Sequence, residues 1–333
     1  MVLDSAAGLH GKKLTALIQR VDRILIPIQP SPFDMWASEA FFENLLAEKA
    51  LRKNKVFMNC YEFISFNFGP TLLTWMERQA PDVYARVLEG DRKSMQRLGH
   101  GNAIAQIYHH VIMPLATDLE KRAEIAWALA DFEARFGRRA EGMWLSEAAV
   151  DTRTLDLLAQ AGVRFTILAP RQAREVAPLD SDDWSPASEA SLDIREPYLV
   201  ELPEGRSISV YFYNGPLSQA VAFEGLLRHG DMFWGRLASL AAQGAGQGLL
   251  ALATDGETYG HHFKFGEMAL AFALSQARAG VGEVALTNYA TYLEQHPPKR
   301  RARIHENSSC RGNRETTGIP CRWANLFIPQ GIS

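Results

Sequence analysis

Two acidic residues stand at positions where chemistry is commonly placed. An apolar stretch, Gly142 to Leu145, reads as a short strand and runs out into Ser146 and Glu147. A second, Gly248 to Ala253, runs out into Thr254, Asp255, Gly256 and Glu257. Catalytic groups of α/β barrels sit where strands end, on the carboxyl-terminal face. Two carboxyl groups at such ends suit cleavage of a glycosidic bond. One must be ionised to attack or stabilise the developing positive charge of the sugar, and the other must hold a proton for the leaving oxygen. A separation of about 5–5.5 Å would mean retention of configuration through a covalent intermediate. The competing reading is that each acid only caps a helix or solvates a loop.

The neighbours add to the chemical reading. Trp144 precedes Glu147, and an aromatic face at a strand end can stack on a sugar ring, although large aromatics also serve as core. After Asp255 comes Gly256-Glu-Thr-Tyr-Gly-His-His262, in which Glu257, Thr258, Tyr259, His261 and His262 could hydrogen-bond sugar hydroxyls. Glycines in such a loop let the backbone pass close to a ligand. Gly99-His-Gly-Asn102 has the same character, with His100 and Asn102 as further candidate contacts, against the plainer reading of an Asn-capped helix entry. His109 and His110 fall in an expected helix, where adjacent residues point to different faces. The His-x3-His spacing of zinc sites is absent. A metal held by residues far apart, such as His100, His261 and Asp255, is the alternative. No Gly-rich phosphate loop or nucleophile-elbow Ser or Cys occurs.

The elements that must position these groups alternate between strand and helix. A short strand is expected at Ile24–Ile28 and a helix over 36–52. The clearest helix runs from Asp118 to Phe136, with Thr117 and Glu120 spaced as a capping box and Gly137 placed to end it. Asp151 caps the next helix, which Gly162 ends, and strand Val163–Leu168 follows. Further strands are expected at Ile208–Tyr213, Gly248–Ala253 and Val284–Thr287. Further helices are expected at Leu217–Leu227, Met232–Ala242 and Phe265–Ala277. Residues 171–195 read as an inserted loop, and the basic run Lys299–Arg303 as a solvated one. This alternation predicts an α/β fold with a mainly parallel sheet, and its length favours a barrel.

Composition bounds the function class. The chain has 333 residues, 47% hydrophobic and 22% charged, with a formal net charge of -3. A near-balanced surface gives no reason to expect nucleic acid or an anionic membrane as partner. The three cysteines, Cys60, Cys310 and Cys321, form no disulfide framework and suggest a reducing compartment. With no leader pattern and no long apolar run, the expectation is a soluble, cytoplasmic protein. Oligomeric state stays open.

These segments together resemble glycoside hydrolase family 57, in a bacterial α-amylase/α-mannosidase-like branch. The resemblance covers roughly residues 56–309. It is carried by Phe66-Asn-Phe-Gly-Pro70, Gly99-His-Gly-Asn102, Gly142-Met-Trp-Leu-Ser-Glu147 and Thr254-Asp-Gly-Glu-Thr-Tyr-Gly260. It implies an incomplete (β/α)7 barrel of the glycoside hydrolase/deacetylase type. It implies a retaining glycoside hydrolase or transglycosylase acting on oligo- or polysaccharides with α linkages, without cofactor. Glu147 would be the nucleophile and Asp255 the general acid/base. Segments 1–55 and 310–333 depart from the family: Gln29-Pro30 lacks the preceding His, and the pattern stops at Cys310. A truncated or frame-shifted chain is the expectation that follows. The alternatives are a metal-dependent deacetylase or zinc mannosidase-like enzyme, or a defective glycan-binding remnant.

Overall fold

The computed structural model describes residues 58–243, 248–310 and 312–313. The expectations for the strand at Ile24–Ile28, the helix over 36–52, Gln29-Pro30 and Cys321 lie outside these residues. Helices α1 (Pro70–Gln79) and α2 (Pro81–Leu98) come first, α2 with Pro81 at its first position, where a missing N–H costs nothing. Strand β1 (Ala105–Gln106) leads to helix α3 (Asp118–Phe136), followed by β2 (Met143–Trp144) and α4 (Thr152–Gln160). Five strands follow: β3 (Phe165–Leu168), β4 (Ala173–Pro178), β5 (Ser185–Pro186), β6 (Tyr198–Glu201) and β7 (Ser207–Phe212). Next come α5 (Gly215–Phe223), α6 (Gly230–Ala242), α7 (Gly266–Arg278) and α8 (Tyr289–Gln295). Strands β8 (Arg300–Ile304), β9 (Ser308–Ser309) and β10 (Gly312–Asn313) close the described chain.

Local signals set many of these bounds. Thr117 and Glu120 form the expected reciprocal box at the start of α3, and Gly137 ends it in the left-handed conformation with φ 66°. Asp151 caps α4 by accepting from the Thr154 N–H at 2.6 Å. The expected helix over 217–227 stops early, because Gly225 turns left-handed at φ 72° and a separate 3-10 turn takes up 226–228.

The chain divides into two compact units. One holds the described residues up to 66 with 71–102 and 216–291, and its core is helical. Leu217, Val221, Phe233 and Tyr259 form one of its buried clusters. The other holds 67–70, 103–215 and the residues from 292 onward, and it carries the sheets. Its main sheet has the order β3-β7-β6-β8-β4-β5, with β1 and β2 forming a separate parallel pair. Phe165, Tyr198 and Phe212 are among its largest fully buried side chains. Tyr198 meets Phe212 edge-on at 5.6 Å.

The sheet is mixed rather than mainly parallel. β3 and β7 run parallel, and so do β6 and β8, while β6–β7, β4–β8 and β4–β5 are antiparallel. The cause is connection length: only residues 202–206 join β6 to β7, too few for a parallel crossover. Three further expectations are corrected. Residues 171–195 contain β4 and β5 rather than loop alone. The basic run is strand β8, with Ala302 and Ile304 buried on one face, while Arg301 and Arg303 on the other stack over the Trp184 ring at 5.1 and 3.9 Å. Residues 248–253 and 284–287 form no ladder. Leu250 and Leu252 are apolar because they pack against the helical cluster, and the Ala253 N–H goes to the Ser218 hydroxyl instead of a strand partner.

Candidate functional site

Glu147 lies in the sheet-bearing unit, just past the end of β2. β1 and β2 run parallel, and a parallel bridge from Gly142 to Phe165 joins β2 to β3, which is itself parallel to β7. The carboxyl ends of these four strands therefore share one edge. His109 and His110 follow β1, Glu147 follows β2, and Tyr213 follows β7. Gly142 permits the close approach of β2 to β3: a Cβ there would sit 2.3 Å from the Phe165 ring.

The turn after β2 decides where Glu147 points. Ser146, Glu147 and Ala148 make one 3-10 turn, closed by the Ala148 N–H donating to the Leu145 carbonyl at 2.8 Å. Leu145, Ser146 and Ala148 are all buried, and the Glu147 side chain between them is 29% exposed. Glu147 has φ 55° and ψ 22°, and Ala148 has φ 51°. Side-chain-bearing residues in the left-handed region cost about 1–2 kcal/mol each, and such strain concentrates at functional sites. The turn is also clamped from the far end of the chain. Cys310 donates its backbone N–H to the Glu147 carbonyl at 3.1 Å, and Val150 and Ser308 exchange two backbone hydrogen bonds.

Around the carboxylate stand His110 Nε2, 3.8 Å from Oε1, and Cys310 Sγ, 4.0 Å from Oε2. Burial pushes the Tyr213 phenol up to about 12, and Cys310 adds to this, so Tyr213 keeps its proton at neutral pH. His110 was expected in a helix. Its φ of 59° excludes that, and β1 ends instead in a turn that separates the two histidines. His109 is held by Glu124, which accepts from its backbone N–H at 2.8 Å and lies 2.7 Å from Nδ1. The strand-end rule that marked Glu147 applies equally to His110, but two residues of β1 are too short to be legible in sequence. Trp144 is half-buried, paired in register with Gln106.

Asp255 lies in the helical unit, after the extended segment that carries Leu250 and Leu252. It is exposed and opens a 3-10 turn over Gly256–Tyr259, its carbonyl accepting from the Thr258 N–H at 3.1 Å. Thr258 and Tyr259 are buried and anchor the turn. The Tyr259 phenol accepts from Thr254 Oγ1 at 3.1 Å, and burial pushes it up to about 12. Tyr259 therefore ties the loop to the core. Glu257, His261 and His262 point outward together, with Glu257 Oε2 lying 3.4 Å from His261 Nδ1 and 3.6 Å from His262 Nε2.

Asn102 is 1% exposed, and its side chain is engaged inside the same unit. Its amide donates to the Tyr61 carbonyl and its oxygen accepts from Asn288, both at 3.0 Å. Its backbone N–H donates to Ser94 Oγ at 2.7 Å. Those bonds make it a fastener of three segments. His100 is half-buried, and its carbonyl accepts from the same Asn288 amide at 3.0 Å. Cys60 and Cys310 are both free thiols, and no described helix is long and apolar enough to cross a membrane.

The profile described as "Glycosyl hydrolase family 57" matches residues 32–305. Alpha-amylase 1 of Dictyoglomus thermophilum is 24% identical over 105 residues, which cover 32% of this chain and 15% of the amylase. Among solved structures, the 4-alpha-glucanotransferase of Thermococcus litoralis has a TM-score of 0.55 at 17% identity, covering 75% of this chain and 34% of that one. The GH57-type branching enzyme of Pyrococcus horikoshii has a TM-score of 0.53 at 17% identity, covering 90% of this chain and 67% of that one. The likeness shows the fold, an α/β chain of the incomplete (β/α)7-barrel type. This chain spans a small part of the amylase and about a third of the glucanotransferase.

Proposed function

The chain belongs to glycosyl hydrolase family 57, and from that premise we propose that it cleaves or transfers α-linked glycans with retention, using Glu147 as nucleophile and Asp255 as acid/base. In the first step the Glu147 carboxylate attacks the anomeric carbon while Asp255 gives its proton to the departing glycosidic oxygen. The covalent glycosyl ester then meets water or a sugar hydroxyl. Asp255, now a carboxylate, takes the proton from that acceptor as the acceptor oxygen displaces Glu147. Water as acceptor gives hydrolysis, and a glycan hydroxyl gives transglycosylation. Trp144 and His100 are the sugar contacts of this reading, Trp144 by stacking on a ring.

The observation that carries the proposal is the turn at Glu147. Between buried neighbours, a left-handed backbone holds one partly exposed carboxylate at the edge where parallel strands end. Asp255 is supported by its exposed carboxylate at the head of an anchored turn.

The test uses Glu147→Gln and Asp255→Asn against α-glucans and α-mannans, with the product anomer read by NMR. Glu147→Gln should lower kcat by at least ~10³-fold, as loss of a covalent nucleophile does in other enzymes. Asp255→Asn should lower it by about 10²–10⁴-fold. Circular dichroism should show both variants folded. Near-normal turnover in either one, or an inverted anomer from the wild type, would overturn the assignment.

A further inference from the structure

Outside the carboxylate assignments, the turn after Asp255 carries a cluster of donor atoms whose spacing suits a metal ion. Glu257, His261 and His262 offer three donor atoms that all lie within 4.8 Å of one another, and among the described residues they are the group of three with this property. We propose that they bind a late first-row divalent metal ion, for which zinc is the reference probe.

Geometry supplies the first argument. A tetrahedral ion with bonds of about 2.0–2.2 Å places its donors about 3.3–3.6 Å apart. Glu257 Oε2 lies 3.4 Å from His261 Nδ1 and 3.6 Å from His262 Nε2. The two rings stand 5.2 Å apart between centroids, inclined at 37°, and the donor atoms of the three residues lie within 4.8 Å of one another. All three side chains are exposed, so they are free to turn, and water can fill the remaining coordination positions.

Preorganisation supplies the second. His261 and His262 both donate their backbone N–H to the Glu257 carbonyl, at 3.1 and 2.9 Å. The Phe263 N–H donates to the Thr258 carbonyl at 3.3 Å, and Thr258 and Tyr259 are buried beneath the turn. The backbone that holds the donors is therefore fixed, and only side-chain rotors are lost on binding. Donor chemistry sets the metal class. Two imidazoles with one carboxylate suit zinc, nickel, copper or iron, whereas calcium and magnesium prefer an all-oxygen set.

The proposal assigns Glu257 and His261 to a metal rather than to sugar hydroxyls. An ion there would add a side-chain fastening to the turn that follows Asp255, beyond the backbone hydrogen bonds that already hold it. It does not depend on the roles given to Glu147 and Asp255, because its readout is metal binding.

The experiment uses the full chain, stripped with a chelator and dialysed. Zinc uptake is followed by calorimetry and cobalt uptake by visible absorption. The expected result is a site that His261→Ala and His262→Ala each weaken by about tenfold or more, the scale on which even supporting residues of metal sites act. Circular dichroism checks that the variants fold, and His296→Ala should bind as the wild type does. Zinc should also slow amide hydrogen exchange at residues 256–262 in the wild type. Absence of zinc uptake by the wild type overturns the proposal, and so does equal uptake by wild type and the His261→Ala/His262→Ala double variant. In either case the cluster is a pair of ordinary surface His–Glu contacts.

Discussion

Glu147 carries a conflict between backbone and side chain that makes a direct prediction. Its φ of 55° suits glycine, and glycine would discard the carboxylate. Relief of left-handed strain is worth about 1–2 kcal/mol, and the added freedom of glycine in the unfolded chain offsets about 0.4–1 kcal/mol of it. Glu147→Gly should therefore raise stability by about 0.5–1 kcal/mol in chemical denaturation while abolishing turnover. A glycine variant that is less stable than the wild type would show that the carboxylate contributes to folding, and would remove the strain argument. Asn102 marks the opposite case. Sequence presents it as a polar residue between glycines, yet its amide is spent on Tyr61 and Asn288. Two polar residues of similar setting, one partly exposed and one buried, are not distinguishable by residue type.

At the scale of elements, the strand-end rule has a strand to rest on at Glu147 and none at Asp255. β2 is real, and Glu147 follows it. Residues 248–253 have a strand's composition, but their apolar side chains are used for packing on helices, and the Ala253 N–H is satisfied by a serine. Amphipathic helix α3 was legible to the residue because its signals are local: a capping box, an apolar stripe and a terminal glycine. The joint between β2 and β3 was not, since it depends on Gly142 meeting Phe165. Gly142→Ala should cost about 1–3 kcal/mol by overpacking. Because the two sites touch, pairing it with Phe165→Leu should cost less than the sum of the single changes. Strict additivity would mean that the ring moves aside freely and that β2 does not need the glycine.

Acid sensitivity belongs to the whole molecule. Asp156 is 1% exposed, and burial pushes its carboxyl up, but the hydrogen bond and charge of Arg206 and the charge of Arg153 outweigh that and hold it below the ordinary value. Arg206 Nε lies 2.7 Å from Oδ1 and Arg153 2.8 Å from Oδ2. A depressed carboxylate contributes stability that is present above its unfolded pKa of about 3.9 and lost as pH falls through the folded value. Arg206→Ala should therefore move the acid-unfolding midpoint to higher pH. The stability difference between wild type and variant should shrink below the unfolded pKa. Denaturation curves that keep a constant difference from pH 7 to pH 2 would rule this out.

The sequence by itself determined the family, the helices with local caps, the strands around 143, 166 and 210, and the position of Glu147 after one of them. Those features depend on residues within a few positions of each other or on short motifs, which a chain displays before it folds. Tertiary structure alone decided the mixed sheet, the use of a basic run as strand β8, and the surroundings of Glu147. Cys310 stands 163 residues from the carboxylate it faces. No periodicity carries a contact at that distance, because it is fixed by how strands pair and not by what any one segment prefers.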